Sequence, residues 1–145
     1  LTRLVKEWTK TTEEAYGVRG KKGREGEVVV ISKLRSLGIK VEDCESDVSM
    51  QLAGIYIVIV SPNGVRTTVD IKSNINSRGY FYIDKNWKCC TSDLVDKIIH
   101  INVEKKQFVM YDVSEAKEQI EFGANILIKY HWDAIPPFAT KYTSR

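Results

Sequence analysis

Asp70, Ile71 and Lys72 stand inside the run Thr67-Thr-Val-Asp-Ile-Lys-Ser73, an acid and a lysine separated by one apolar residue. On an extended strand successive side chains alternate between faces, which puts Asp70 and Lys72 on one side and Val69 and Ile71 on the other. A carboxylate so placed can hold a divalent cation, while the neighbouring ammonium orients a water or steadies the charge on a phosphate. Alone, the tripeptide reads more readily as a solvated ion pair on an exposed strand. Its weight comes from the elements around it.

Those elements can be laid out from pattern. Leu4, Val5, Trp8 and Ala15 give a helix over 2–16, which Gly17, Gly20 and Gly23 break. A second helix is expected from Arg24 to Leu37, with Val30, Ile31, Leu34 and Leu37 as the stripe that packs on a sheet and Gly38 as a left-handed stop. A short strand from Ile39 to Asp43 and a long β-branched one from Leu52 to Val60 follow. The turn signal Ser61-Pro-Asn-Gly64 then returns the chain through Val65 to Lys72, making a hairpin. Further strands are expected at Tyr80–Ile83, Ile98–Val103 and Phe108–Asp112, the last two paired around Glu104-Lys-Lys106. A helix over Ser114–Phe122, a strand over Ile126–Tyr130 and an irregular tail at Pro136-Pro137 complete the order. This succession predicts an α+β fold, a mixed sheet flanked by helices, in a single domain over 1–145 with its core from about 20 to 130.

Composition bounds the classes. Of the 145 residues 43% are hydrophobic and 28% charged, enough apolar material for a core and unlike a disordered chain. The net charge of +3 neither requires nor excludes a nucleic-acid partner. Its distribution says more: Arg19, Lys21, Lys22 and Arg24 crowd around Gly20 and Gly23, as a solvated loop or a phosphate contact would. Cys44, Cys89 and Cys90 make neither a disulfide framework nor a zinc spacing, which suits a reducing cytoplasm. His100 and His131 read as structural. No apolar run approaches about 18 residues and no leader pattern is present, so neither a membrane span nor a signal peptide is expected.

Glu27 precedes Val30, Ile31 and Leu34 by three, four and seven residues, in line with the stripe and so facing the sheet near the helix start. Glu25 lies off the stripe and reads as an ordinary favourable charge at a helix N-terminus. A helix with an inward Glu, then a hairpin whose second strand carries Asp-x-Lys, resembles the PD-(D/E)xK nuclease superfamily. This is the restriction-endonuclease-like fold that includes Holliday-junction resolvases and many phage nucleases. The matching pieces are Gly23-Arg-Glu-Gly-Glu27, Leu34-Arg-Ser-Leu-Gly38, Gln51-Leu-Ala-Gly-Ile55 and Val69-Asp-Ile-Lys72, within residues 20 to 75. The resemblance implies a DNA endonuclease of phage or prokaryotic type that hydrolyses phosphodiester bonds with Mg²⁺ or Mn²⁺, with a homodimer as one arrangement. It makes Asp70 a metal-binding acid, the Ile71 carbonyl an extra ligand, Lys72 the residue that positions the attacking water, and Glu27 an accessory acid at the metal, orienting an outer-sphere water or the ion itself.

One position departs from the pattern. An Asp belongs directly after Gly54-Ile55, and this chain has Tyr56. With Ile55, Ile57 and Ile59 as one face of the strand, Tyr56 falls on the face of Gly54 and Val58. A phenol, with a pKa near ~10, stays protonated and ligates Mg²⁺ poorly. Three explanations are open: an inactivated variant of an enzyme with Asp at this position, a nuclease-fold module that binds DNA or protein without cutting, or another acid, Asp47 or Glu45, moving into the site. Asp47 fits a turn residue better. Lys21, Lys22, Arg24, Lys72, Asn74, Arg78 and Lys85 are expected along a phosphate backbone. Trp87 with Tyr80 and Tyr82 could stack on a base, although aromatic strand residues are more often core.

Overall fold

The stripe of Val30, Ile31 and Leu34 decides how the molecule is layered. The computed structural model describes residues 23–73, 80–123, 127–131 and 138–143, and helix α1 occupies 23–36. Val30, Ile31 and Leu34 are buried against Ile57, Val69, Ile71, Ile99, Ile101 and Phe108. Leu37, expected to extend the stripe, is instead 51% exposed, because the helix has ended before it. Gly38, at φ +80°, donates to Arg35 O at 3.0 Å, and Ile39 N donates to Leu34 O at 3.1 Å. These are the paired bonds of a glycine-terminated helix. The helix expected over 2–16 and the tail at Pro136-Pro137 lie outside the described residues.

In chain order come β1 (Lys40–Asp43), α2 (Val48–Leu52), β2 (Ile57–Val60), β3 (Arg66–Lys72), β4 (Tyr80–Asp84), α3 (Lys88–Thr91), β5 (Lys97–Asn102), β6 (Gln107–Asp112), α4 (Val113–Gly123), β7 (Leu127–His131) and β8 (Thr140–Thr143). Six strands form one mixed sheet in the order β1-β2-β3-β5-β6-β8. Within it β3 and β5 run parallel and the other neighbours antiparallel. The expected hairpins β2–β3 and β5–β6 are formed, while β4 pairs with β7 in a separate two-stranded sheet. The fold is thus α+β with a mixed sheet. Beneath the face opposite α1, Val58, Ile98, Val109 and Tyr111 pack with Ile83, Cys89, Val95, Val113 and Ala116. Among the described residues no helix is long and apolar enough to cross a membrane.

The long strand expected from Leu52 to Val60 is replaced by α2, a turn and the short β2. Asp47 starts α2, its Oδ1 accepting from Met50 N at 3.1 Å and from Ser49 Oγ at 2.8 Å. Gly54, at φ +81°, ends it as Gly38 ends α1, with Gly54 N to Gln51 O at 3.0 Å and Ile55 N to Met50 O at 2.9 Å. Alternation begins only at Ile57. Ile57 and Ile59 share a face, toward α1, whereas Ile55, expected beside them, joins the opposite cluster with Val58. Tyr56, expected on the face of Gly54 and Val58, packs instead on the α1 side, because the chain is not yet extended there. The short α3 and β8 were not expected at all.

Gly26 marks the closest approach of α1 to the sheet. A Cβ there would lie 2.9 Å from Ile101 Cγ2 and 2.9 Å from Ser73 Oγ, whereas one at Gly23 would meet nothing within 4 Å. Helix propensity favours Ala over Gly by about 1 kcal/mol, so Gly23→Ala is expected to be neutral or mildly stabilising. Gly26→Ala is expected to destabilise by about 1 to 3 kcal/mol, because overpacking outweighs propensity. Urea unfolding of the two variants measures the contrast, and equal midpoints would refute the close approach.

Candidate active site

The end of β1, the start of β2 and the ends of β3 and β5 lie at one end of the sheet. The pairs Asp43↔Ile57, Ile57↔Val69 and Lys72↔His100 fix this. The first turn of α1 reaches the same end, with Gly26 over Ser73 and Ile101. Val69 and Ile71 pack under α1, so alternation turns Asp70 and Lys72 to the opposite face.

Asp70 is 1% exposed. Its Oδ2 is 3.2 Å from Lys72 Nζ, and its Oδ1 has no hydrogen-bond partner among the described residues. Burial pushes the Asp70 carboxyl above its ordinary range, against the pull of Lys72 and the Cys89 thiol. Burial likewise works against the Lys72 ammonium, but Asp70, Tyr56 and Cys89 together outweigh it and hold its pKa above that of a free lysine. The pair is interdependent: Lys72 stays a cation, and its charge pulls against the burial that raises Asp70. Trp87 closes over the ammonium, with Nζ 4.8 Å from the ring centroid. Behind it His100 is fully buried and stacked on Tyr111, with centroids 5.6 Å apart. Burial, helped by Lys72, drives the His100 pKa down to about 3, so the imidazole is neutral.

Glu27 belongs to a second group. It is 9% exposed, with Arg24 Nη1 3.6 Å from its Oε1. Arg24 grips Asp43 with both nitrogens, at 3.1 and 2.7 Å, and reaches Glu45 Oε2 at 3.1 Å. Burial raises the Glu27 carboxyl to about 7 against the pull of Arg24, and Asp43 and Glu45 add to the rise. Glu25 is exposed, as its place off the stripe implied. Tyr56 packs against the cluster under α1, donates its N–H to Val69 O at 2.9 Å, and acts on the charge of Lys72.

The structure therefore brings Asp70 and Lys72 into contact, while Tyr56 packs on the α1 side and reaches Lys72 through charge. Glu27 is at the same sheet end, on the helix that covers the other face. The Ile71 side chain points to α1, while alternation sends its carbonyl to the strand edge that Val69 O occupies, past the last β2 pair. The Asp47 carboxylate is committed as the cap of α2. The Arg24 guanidinium is held by three acids, and Lys85 is exposed after β4. Lys21, Lys22, Asn74 and Arg78 lie outside the described residues. Sequence reasoning missed Asp43 as the partner of Arg24, Trp87 as the cover of Lys72, and Cys89 as a neighbour of Asp70. A strand-end acid beside a basic loop was the one available hint, for Asp43.

Among the described residues no three His, Cys, Asp or Glu side chains form a group that could hold a metal ion. Asp70 Oδ1 is nonetheless an uncommitted hard donor, the kind Mg²⁺ takes one or two of while keeping water and phosphate as its other ligands.

No family model matches the chain, and no curated protein matches it. The solved structure of a bacterial homing endonuclease, I-Ssp6803I, is similar: the TM-score is 0.55 at 16% identity, over 78% of this chain and 75% of that one. At this identity the likeness is one of fold.

The Glu27 carboxyl makes a prediction about stability. Its folded pKa of about 7 exceeds the ordinary 4.5, so the folded state binds the proton more tightly than the unfolded state does. The stability due to the protonated form is complete below the ordinary value and is lost as pH rises through about 7. Glu27→Gln keeps the neutral form at all pH. It is expected to exceed the parent at pH 8 by on the order of 1 to 3 kcal/mol and to match it near pH 4. Urea unfolding across this range tests it, and a gap that does not widen with pH would show that Glu27 is not a buried acid.

Proposed function

We propose that the protein is a DNA endonuclease of the PD-(D/E)xK type, which hydrolyses phosphodiester bonds with Mg²⁺ or Mn²⁺ held at Asp70. One observation carries the reading: a carboxylate 1% exposed, with one oxygen unpartnered among the described residues and the other 3.2 Å from Lys72. Burying an oxygen that lacks a donor costs about 1 to 3 kcal/mol, more for a charged group, and a cation bound there would offset that cost. The fold shared with a homing endonuclease supports the same reading.

Asp70 and the Ile71 carbonyl would hold the cation, which supplies Lewis-acid polarisation of the phosphoryl group and a bound water of lowered pKa. Lys72, kept charged by Asp70, stabilises the negative charge that grows on the phosphate. Glu27, titrating about 7, exchanges a proton with water near neutral pH on the α1 side of the strand end. Lys21, Lys22, Asn74, Arg78 and Lys85 are proposed along the DNA backbone. Arg24 would have to leave its acids to join them.

A second reading is a nuclease-fold module that binds DNA or a protein partner without cutting. Tyr56 favours it, since a neutral phenol replaces the acid that would share the cation. Nicking of supercoiled plasmid separates the two. The chain as it stands is expected to cut weakly or not at all. Tyr56→Asp is expected to confer divalent-dependent nicking that chelator, Asp70→Ala or Lys72→Ala abolishes, because two carboxylates bind Mg²⁺ far more tightly than one. Inactivity of both forms, with or without chelator, would sink the nuclease reading in favour of the binding module. Robust cleavage by the parent would point to Glu45, released from Arg24, as the missing ligand.

A further inference from the structure

Trp87 is fixed by its main chain. Its N–H donates to Asp84 O at 3.1 Å, and its carbonyl accepts from Cys90 N at 2.9 Å and Thr91 N at 3.0 Å, which pins the residue at the junction of β4 and α3. The indole is half-buried. Lys72 Nζ lies 4.8 Å from its centroid, and the His100 ring lies 6.0 Å away. The neutral imidazole does not compete with the ammonium for the π face. Stacking on a base would need an open ring face, and Lys72 already lies over one.

We infer that Trp87 is a positioning residue for Lys72: its indole face and the Asp70 carboxylate together fix the ammonium, leaving N–H donors free for a phosphate. A single carboxylate sets one distance and leaves a long, flexible stem free to swing about it. An aromatic face adds a second restraint without accepting a conventional hydrogen bond. Of the three ammonium hydrogens one serves Asp70, and among the described residues no other acceptor takes the rest. A second carboxylate in place of Trp87 would restrain Lys72 as well but would cancel the charge that a phosphate needs.

The inference deepens the nuclease reading and rests on it only for its kinetic consequence, so two measurements are used. In parent protein with ¹³C-labelled lysine, the ring current of Trp87 is expected to displace the Lys72 side-chain methylene signals upfield. Trp87→Leu is expected to return them to the ordinary lysine position, and Trp87→Tyr to keep part of the displacement. In the Tyr56→Asp background, Trp87→Leu is expected to lower kcat on plasmid about tenfold with KM little changed, and Trp87→Tyr to recover most of the loss. Signals that do not move in Trp87→Leu overturn the inference, as does a loss that falls on KM while kcat is kept, the result that base stacking would give. If Tyr56→Asp does not cut, the nuclease reading fails while the spectrum still decides the role of Trp87. Should Trp87→Leu fail to fold, Lys72→Met is read through the Trp87 indole N–H signal. That signal is expected to shift, and one left in place overturns the inference.

Discussion

A carboxylate in the middle strands of a sheet that is covered on both faces is costly to ionise. At Asp70 the compensation comes from Lys72, two residues along the same strand and 3.2 Å away. Strand geometry supplies the contact, because residues two apart share a face. The ammonium in turn needs an environment that tolerates a partly buried charge. Trp87 and the neutral His100 provide one without adding a second cation. The start of α3 carries Trp87 to Lys72 while Cys89, two residues on, is buried in the core with Ile98, Val95 and Val113. On the reverse of β3, Val69 and Ile71 complete the apolar layer beneath α1. A seven-residue strand thus carries charge chemistry on one face and core on the other.

Charge is organised differently on the α1 side of the same sheet end. There Arg24 is the cation, forked onto Asp43 and in reach of Glu27 and Glu45. A bidentate guanidinium fits a carboxylate more specifically than an ammonium does, but this group is partly open to solvent, so its worth to stability is modest. Its effect on Glu27 is larger in consequence than in energy. Burial raises Glu27 into the neutral range against the pull of Arg24, and the two further carboxylates add to the rise.

Much of this was legible from residue types and spacing, for reasons that are local. The period of Val30, Ile31 and Leu34 oriented α1, put Glu27 inside and left Glu25 outside, and Gly38 stopped the helix. The turn at Pro62 to Gly64 and the alternation around Asp70 gave the β2–β3 hairpin and the facing of the pair. The failure at 48–56 was also local. Leu52 and the isoleucines after it look like one strand, and the Asp47 cap and Gly54 stop that frame α2 were outweighed by β-branched composition. Trp87 and Cys89 could not be read, since no periodicity links them to Lys72 or Asp70. Their contacts depend on how β4 and α3 fold back over β3. The pairing of β4 with β7 is equally non-local, which is why β4 was legible as a strand while its separate sheet was not.

The detour through α2 leaves Tyr56 one residue short of the β2 ladder, tied to its neighbours by two main-chain bonds: its N–H donates to Val69 O and its carbonyl accepts from Cys44 N. Neither bond depends on the side chain. Exchange of the residue at 56 therefore leaves the sheet's pairing in place, and what it changes is the side chain's own interactions, among them its packing on the cluster under α1.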